Sequence, residues 1–444
     1  MAPTSARQTS NCWPASRRGA LASGVALALG LAIASMLVTL SWARGLRGGE
    51  AASRSSLAGA RTGPPLVPVA SPAPPGSAQP QLAVGRDGAF ILSWLETDAG
   101  GRARFRFATR TQAAWSTPVL VAEGTDFFVN WADVPSVVQL PGGRIAAHWL
   151  QKSGGDGPYA YDVKLRVSDD GGATWSAPIT PHRDGTKTEH GFVSMFEAPG
   201  GALGLVWLDG RQMAAGGHHG EGGGAMTLRA ATIDAGLALG HEHVVDDRVC
   251  ECCPTTAVRA GEAVVVAYRD RGGSAEIRDI SVSRFVDGRW TPGRAVHEDG
   301  WLMPACPVNG PSLAADGRRV ALAWFTAEGN EPRALVAFSG DAGATWGPPV
   351  RVDDGVALGR VDSELLPDGS VLVTWIEFED GRSEVRGRRV RPDGTKEPSF
   401  PVAGVSGDRA SGYPRMARSG KTVLFAWTET QPVKQVRLAA LALR

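Results

Sequence analysis

The stretch Ser168-Asp169-Asp170-Gly171-Gly172-Ala173-Thr174-Trp175 recurs as Ser339-Gly340-Asp341-Ala342-Gly343-Ala344-Thr345-Trp346, and its reading decides the fold. Both copies fit Ser-x-Asp-x-Gly-x-Thr-Trp, and each follows a run of alternating apolar residues. The chemistry is that of a tight turn between two strands. The Ser hydroxyl and Asp carboxylate accept hydrogen bonds from backbone N–H groups, and the Gly takes positive φ. The Trp then opens the next strand and buries a large ring.

Working outward from the turns, one unit repeats. Alternating apolar residues end on an aromatic at Trp94, Trp149, Trp207, Tyr268, Trp324, Trp375 and Trp427, and these anchors are 55, 58, 61, 56, 51 and 52 residues apart. Each unit parses as four short strands: one before the anchor strand (Gln81–Val84, Val134–Val138), the anchor strand, a third (Lys164–Val167, Ala334–Phe338), and a fourth beginning near Trp115, Trp175 or Trp346. A repeat of this length with four strands predicts an all-β, seven-bladed β-propeller, with six blades and one degenerate repeat as the alternative. The last unit reaches the end of the sequence after its third strand, 436–443, and Leu66–Ala70 is the candidate N-terminal strand that closes the ring and leaves no open sheet edge. No helical domain is visible.

The two turns resemble the Asp-box of sialidases and other bacterial-neuraminidase-repeat proteins. The resemblance covers residues 81–444 at the level of fold, with specific motifs only at the two turns. It implies a protein that binds glycans or cleaves them as an exo-α-sialidase-like glycoside hydrolase, with the boxes as structural turns. Sialidases have six blades, so seven anchors depart from the family. An active member needs three arginines on the substrate carboxylate, a Tyr nucleophile activated by a Glu, and an Asp acid. The family's Phe-Arg-Ile-Pro motif is absent. By position within the repeat, Tyr413 is the catalytic candidate with Glu364 as partner, and Arg269, Arg360 and Arg415 are the candidate clamps. Tyr413 reads equally as a tyrosine packed where the last blade begins, and Arg269-Asp270-Arg271 as mutually paired charges.

In such a ring the box turns share one face with the turns joining first and second strands, including Pro141-Gly142-Gly143 and Asp368-Gly369. Connections between blades, and from second to third strands, lie on the other. Nearly everything chemically unusual falls on that second face: 126–133 with Trp131, Tyr159 and Tyr161, His182, His190, 209–224 with His218 and His219, 246–254, Arg269-Asp270-Arg271, 301–311, 360–364 and 411–415. Irregular loops of this composition on a rigid scaffold are where a ligand site is expected. The predicted ligand-binding residues are Arg269, Asp270, Arg271, Arg360, Arg415, Trp131, His218 and His219.

Four of the five cysteines gather on the same face: Cys250, Cys252 and Cys253 ahead of the fourth blade, and Cys306 ahead of the fifth. In an oxidising compartment disulfides are the default, although adjacent Cys252 and Cys253 cannot easily bond each other. The same four thiolates are soft ligands suited to copper or zinc, and a redox or free-thiol role is the third reading.

Residues 1–43 read as a signal peptide or signal anchor. Arg7, Arg17 and Arg18 precede an uncharged run, 19–40, and Ser41-Trp42-Ala43 offers a small-x-small cleavage site. Both readings export the chain to the periplasm or the exterior, the second leaving it anchored in the inner membrane by 19–40. Residues 44–80, rich in Ala, Gly, Ser and Pro, read as a linker. Lys+Arg (46) nearly balance Asp+Glu (45), so no global field favours nucleic acid. Three function classes follow: a glycan-binding or glycan-cleaving propeller, a thiolate metal or redox protein, and a non-catalytic interaction scaffold.

Overall fold

The computed structural model describes residues 63–111, 114–155, 157–213, 224–272 and 276–443. The proposed signal segment, 1–43, and His218 and His219 lie outside the described residues. None of the described helices is long and apolar enough to cross a membrane.

The chain forms a seven-bladed all-β propeller of antiparallel sheets. In four blades the sheet has four strands. In the first and fourth the outer strand is split in two, and in the second it shrinks to one bridge between Leu165 and Ile179. The seventh blade, Arg415–Ser419, Thr422–Glu429 and Gln435–Ala442, takes Leu66–Val69 as its outermost strand, with Leu66 opposite Leu441 and Val69 opposite Leu438. The first blade begins at Ser77, inside the segment read as linker. Pro80 is accommodated there because a bulge shifts the register between Ala78 and Gln81.

Each of the seven anchors lies on the second strand of its blade. Trp94, Trp207, Trp324 and Trp375 are fully buried, and burial of each ring is worth roughly 3 kcal/mol. A carboxylate two residues on, along the same face of the strand, accepts the indole N–H in three of them: Trp94 to Glu96 at 2.8 Å, Trp207 to Asp209 at 2.8 Å and Trp375 to Glu377 at 2.5 Å.

The apolar core is divided into seven clusters, each shared by two neighbouring blades. Phe105 and Trp149 join the first and second blades, Trp207 and Leu165 the second and third, and Phe196 and Tyr268 the third and fourth. The series continues through Trp324, Trp375 and Phe425 to Trp94 and Leu438, which join the seventh blade to the first. Seven contacts among seven blades make a ring.

The two repeated turns have the same hydrogen bonds. Ser168 Oγ accepts from Gly172 N at 2.8 Å, and Asp170 accepts from Thr174 N at 2.8 Å and Thr174 Oγ1 at 2.6 Å. The corresponding contacts of Ser339 and Asp341 are 2.9, 2.9 and 2.7 Å. These bonds hold both Asp carboxyls at about 2, below the usual carboxylate range.

Candidate functional site

The innermost strands of all seven blades surround one cavity of about 260 Å³. Its wall carries the carboxyls of Asp133, Asp362 and Glu364, the guanidinium of Arg415, and Tyr413. Three innermost strands begin at bulges, and in each the inserted residue is a non-glycine with positive φ: Gln79 (57°), Phe192 (52°) and Arg360 (54°). Such backbone costs on the order of 1–3 kcal/mol per residue. A bulge re-aims the side chains beside it, here those around one end of the channel.

At one of these bulges is a group that sequence reasoning did not bring together. Tyr161 Oη lies 2.7 Å from Asp133 Oδ2 and 3.0 Å from Glu189 Oε1, while Phe192 N donates to Asp133 Oδ1 at 2.8 Å. All three side chains are buried. One phenol has one proton to give, so the second short contact needs a proton on a carboxyl. Burial, opposed by the Tyr161 and Phe192 hydrogen bonds, pushes Asp133 up to about 7. Burial and the neighbouring Asp133 drive Glu189 well above its ordinary range. The trio therefore stores a proton at neutral pH beside the cavity. Gly191 makes room for it: a Cβ there would sit 2.0 Å from Asp133 Oδ2 and 2.6 Å from Tyr161 Oη. Tyr161 and Asp133 were legible as residues of the unusual face. Glu189, directly preceding the third blade's first strand, had no motif to mark it.

The structure does not pair Tyr413 with Glu364. Tyr413 is buried, its hydroxyl donates to Val308 O at 2.7 Å, and burial pushes its phenol up. The cause is its place just ahead of the strand Arg415–Ser419, where the ring packs inward. Trp131 stacks on it with centroids 6.0 Å apart. Glu364 is half-buried on the sixth blade's inner strand, where burial and neighbouring Asp362 push it up to about 8.

Nor do the three arginines converge as a clamp. Arg269 donates to the carbonyls of Asn309, Arg278 and Phe325 and lies over Trp301. Arg360 donates to the carbonyls of Gly407, Asp408 and Gly412 and to Ser411 Oγ, with Trp131 beneath it at 4.8 Å. Both hold loops with the donors a substrate carboxylate would use. Arg415 differs: it lies over the Tyr413 ring at 5.1 Å, and its buried Nε has no hydrogen-bond partner. Arg271 pairs with Glu276 at 2.7 Å and with Glu251, and Asp270 accepts from Ser281 Oγ at 3.0 Å. The surface pairing expected within Arg269-Asp270-Arg271 is replaced by contacts to other segments, because each side chain leaves the strand end in a different direction.

Cys250, Cys252, Cys253 and Cys306 are free thiols. Cys250 Sγ lies 2.8 Å from Cys253 Sγ and 3.8 Å from Cys252 Sγ, and these three sulfurs all lie within 4.8 Å of one another. Burial pushes Cys250 up to about 12. Cys253, equally buried, is instead held well below the thiol range by hydrogen bonds from its neighbours and by Arg269.

A second polar cluster joins the second and third blades. His182 and His190 stack with centroids 3.8 Å apart, among Asp162, Asp184 and Asp209. Arg211 reaches Asp209 at 2.6 Å and Asp184 at 3.4 Å, and Lys164 pairs with Asp162 at 3.1 Å.

No family model matches the sequence, and no curated protein matches it. Among solved structures, the chain is similar to the polysaccharide lyase Uly1, at TM-score 0.51 and 11% identity over 84% of this chain and 91% of that one. It also aligns with the α-L-arabinanase of Penicillium chrysogenum complexed with arabinobiose, at TM-score 0.47 and 13% identity over 72% of this chain and 95% of that one. A third is the leech intramolecular trans-sialidase, at TM-score 0.45 and 12% identity over 80% and 83%. At such identity the likeness to the lyase is one of fold alone.

Proposed function

We propose that the protein is an exported, glycosidase-like propeller that binds a glycan at the channel mouth on the face opposite the two repeated turns. In this reading Asp133, backed by Tyr161 and Glu189, is the group that hands a proton to a glycosidic oxygen. The carrying observation is the phenol held between two buried carboxyls, at 2.7 and 3.0 Å, beside a cavity walled by all seven blades. An acid that stays protonated near pH 7 is what leaving-group protonation needs. Asp362 and Glu364 in the same wall supply the second carboxyl that glycoside cleavage uses. The likeness to a polysaccharide lyase supports the scaffold.

The engaged donors of Arg269 and Arg360 narrow the ligand class. A sialoside carboxylate would meet Arg415 without a bidentate set of three, whereas sugar hydroxyls match the carboxyls and the hydroxyls of Ser194, Thr255 and Ser312 along the wall. We therefore favour a neutral, hydroxyl-rich glycan over a sialoside. The test is binding of the purified chain to an array of neutral and sialylated glycans, followed by release of reducing ends from each hit. Release of reducing ends that is lost in Asp133→Asn and Glu364→Gln while binding persists supports the reading. Absence of binding to every glycan, or cleavage unaffected by both substitutions, overturns it.

A further inference from the structure

The thiols carry a separate inference, independent of any glycan. Cys250, Cys252 and Cys253 sit in the loop that leads from His243–Asp246 of the third blade to Thr256–Ala260 of the fourth, and Cys306 comes from the segment ahead of the fifth. The first three sulfurs lie within 4.8 Å of one another, and Cys306 approaches them on the Cys252 side.

Three features separate this cluster from ordinary buried cysteines. The first is spacing. Two thiolates that each lie ~2.3 Å from one tetrahedral ion are about 3.8 Å apart, the Cys250–Cys252 separation found here. The Cys250–Cys253 pair, at 2.8 Å, is longer than the ~2.05 Å of a disulfide and opens by about 1 Å to join the same ion.

The second feature is charge. Arg269 is 1% exposed, and its guanidinium donates to three carbonyl oxygens; among the described residues it forms no ion pair. A buried cation without a hydrogen-bonded counter-charge is costly, and the Asp279 carboxyl and the Cys253 sulfur both interact with it electrostatically. Arg278, equally buried, is neutralised by Glu251 at 3.0 Å and also interacts with Cys250 and Cys253. These two guanidiniums offset the excess negative charge of several thiolates around one cation.

The third is the support behind the sulfurs. The Asn309 backbone N–H is directed at Cys253, while the same residue's carbonyl takes Arg269 Nε at 2.8 Å. Backbone N–H donation to a ligand sulfur is how outer groups hold and tune metal thiolates.

We propose that Cys250, Cys252 and Cys253, joined by Cys306, bind a single soft d10 cation, Cu(I) or Zn(II). The buried sulfurs of Cys250 and Cys253 and the half-buried ones of Cys252 and Cys306 can close around either ion. Thiolate donors select these two over hard cations.

The experiment uses the full chain, purified under argon and loaded separately with Zn(II) or with Cu(I) held by a competing chelator. Bound metal is counted after gel filtration, and X-ray absorption reads the ligands. The expected result is one equivalent of either ion with a sulfur-only shell near ~2.3 Å. Because Cys252 and Cys306 are only half-buried, Cys252→Ser and Cys306→Ser are expected to fold. Circular dichroism of the metal-free variants checks this, and binding weaker by at least about tenfold, as loss of ligand sulfur implies, supports the site. Less than one-tenth of an equivalent of both ions on the reduced protein overturns it, as does affinity in the folded variants equal to that of the parent. So does protein isolated without reductant in which Cys250 and Cys253 resist alkylation until reduced, because they are then a disulfide.

Discussion

Replacing Asp133 with Asn tests whether the channel's acid is held neutral. The folded protein keeps this carboxyl protonated up to about 7, against 3.8 for the same group in an unfolded chain, chiefly because it is buried. A group whose folded value is raised adds stability in full below its unfolded value, and that stability drains away as pH rises through the folded value. The amide has no proton to lose, and it fits the same bonds. Its oxygen accepts from Phe192 N, and its NH2 donates to Tyr161 Oη, which in turn donates to Glu189. At 1.36 kcal/mol per unit, Asp133→Asn should match the parent near pH 4. It should exceed it by roughly 1.7 kcal/mol at pH 5 and about 4 kcal/mol at pH 7, with little further gain above pH 8. Urea unfolding at these pH values reads the difference directly. The same variant should lose glycan cleavage, so stability and function move in opposite directions, as for an acid kept under strain for use. A stability difference that is flat from pH 4 to 8 would refute a neutral Asp133 and with it the proposed proton donor.

His148, fully buried with its Nε2 unpartnered, is pushed down by burial to about 3. Its contribution is therefore present above 6.5 and is lost as pH falls toward 3. The parent should lose about 2.7 kcal/mol relative to His148→Phe between pH 7.5 and 4.5, measured by urea unfolding. Arg360→Lys removes a fork that donates to three carbonyls and a hydroxyl. A lysine cannot reproduce that geometry, so we expect a loss of about 2–3 kcal/mol, with amide exchange accelerated first across 407–412. Gly191→Ala drives a methyl into Asp133 and Tyr161. It should cost roughly 1–3 kcal/mol of stability and disrupt the trio, seen as a shifted Tyr161 absorbance on alkaline titration.

The ring was legible because its signals are local. Trp94, Trp207 and Trp375 each announce a second strand by ending an alternating run, and the Glu or Asp two residues later is the partner of the indole N–H. The turns at Ser168 and Ser339 likewise satisfy themselves within seven residues. The site is non-local. Asp133 and Glu189 each lie 28 residues from Tyr161, on opposite sides of it along the chain, and no periodicity links them. The arginines failed for a related reason. Residue type and blade position bring Arg360 and Arg415 beside Tyr413, but cannot show that a bulge turns Arg360 toward the carbonyls of 407–412 while leaving Arg415 Nε without a partner. The cysteines were an intermediate case: their clustering followed from the repeat, their bonding state did not.

The cavity's wall has a practical consequence for finding what fills it. Every blade contributes a segment of that wall, so an occupant that fills the cavity touches the whole ring. Its binding energy is distributed around the whole ring and must surface as resistance to unfolding of the entire propeller, about 2.7 kcal/mol when the occupant is present at a hundred times its dissociation constant. A melting curve of the purified protein is thus a screen for the native ligand that presupposes nothing about its chemistry, and it would register a non-reacting analogue as readily as a substrate.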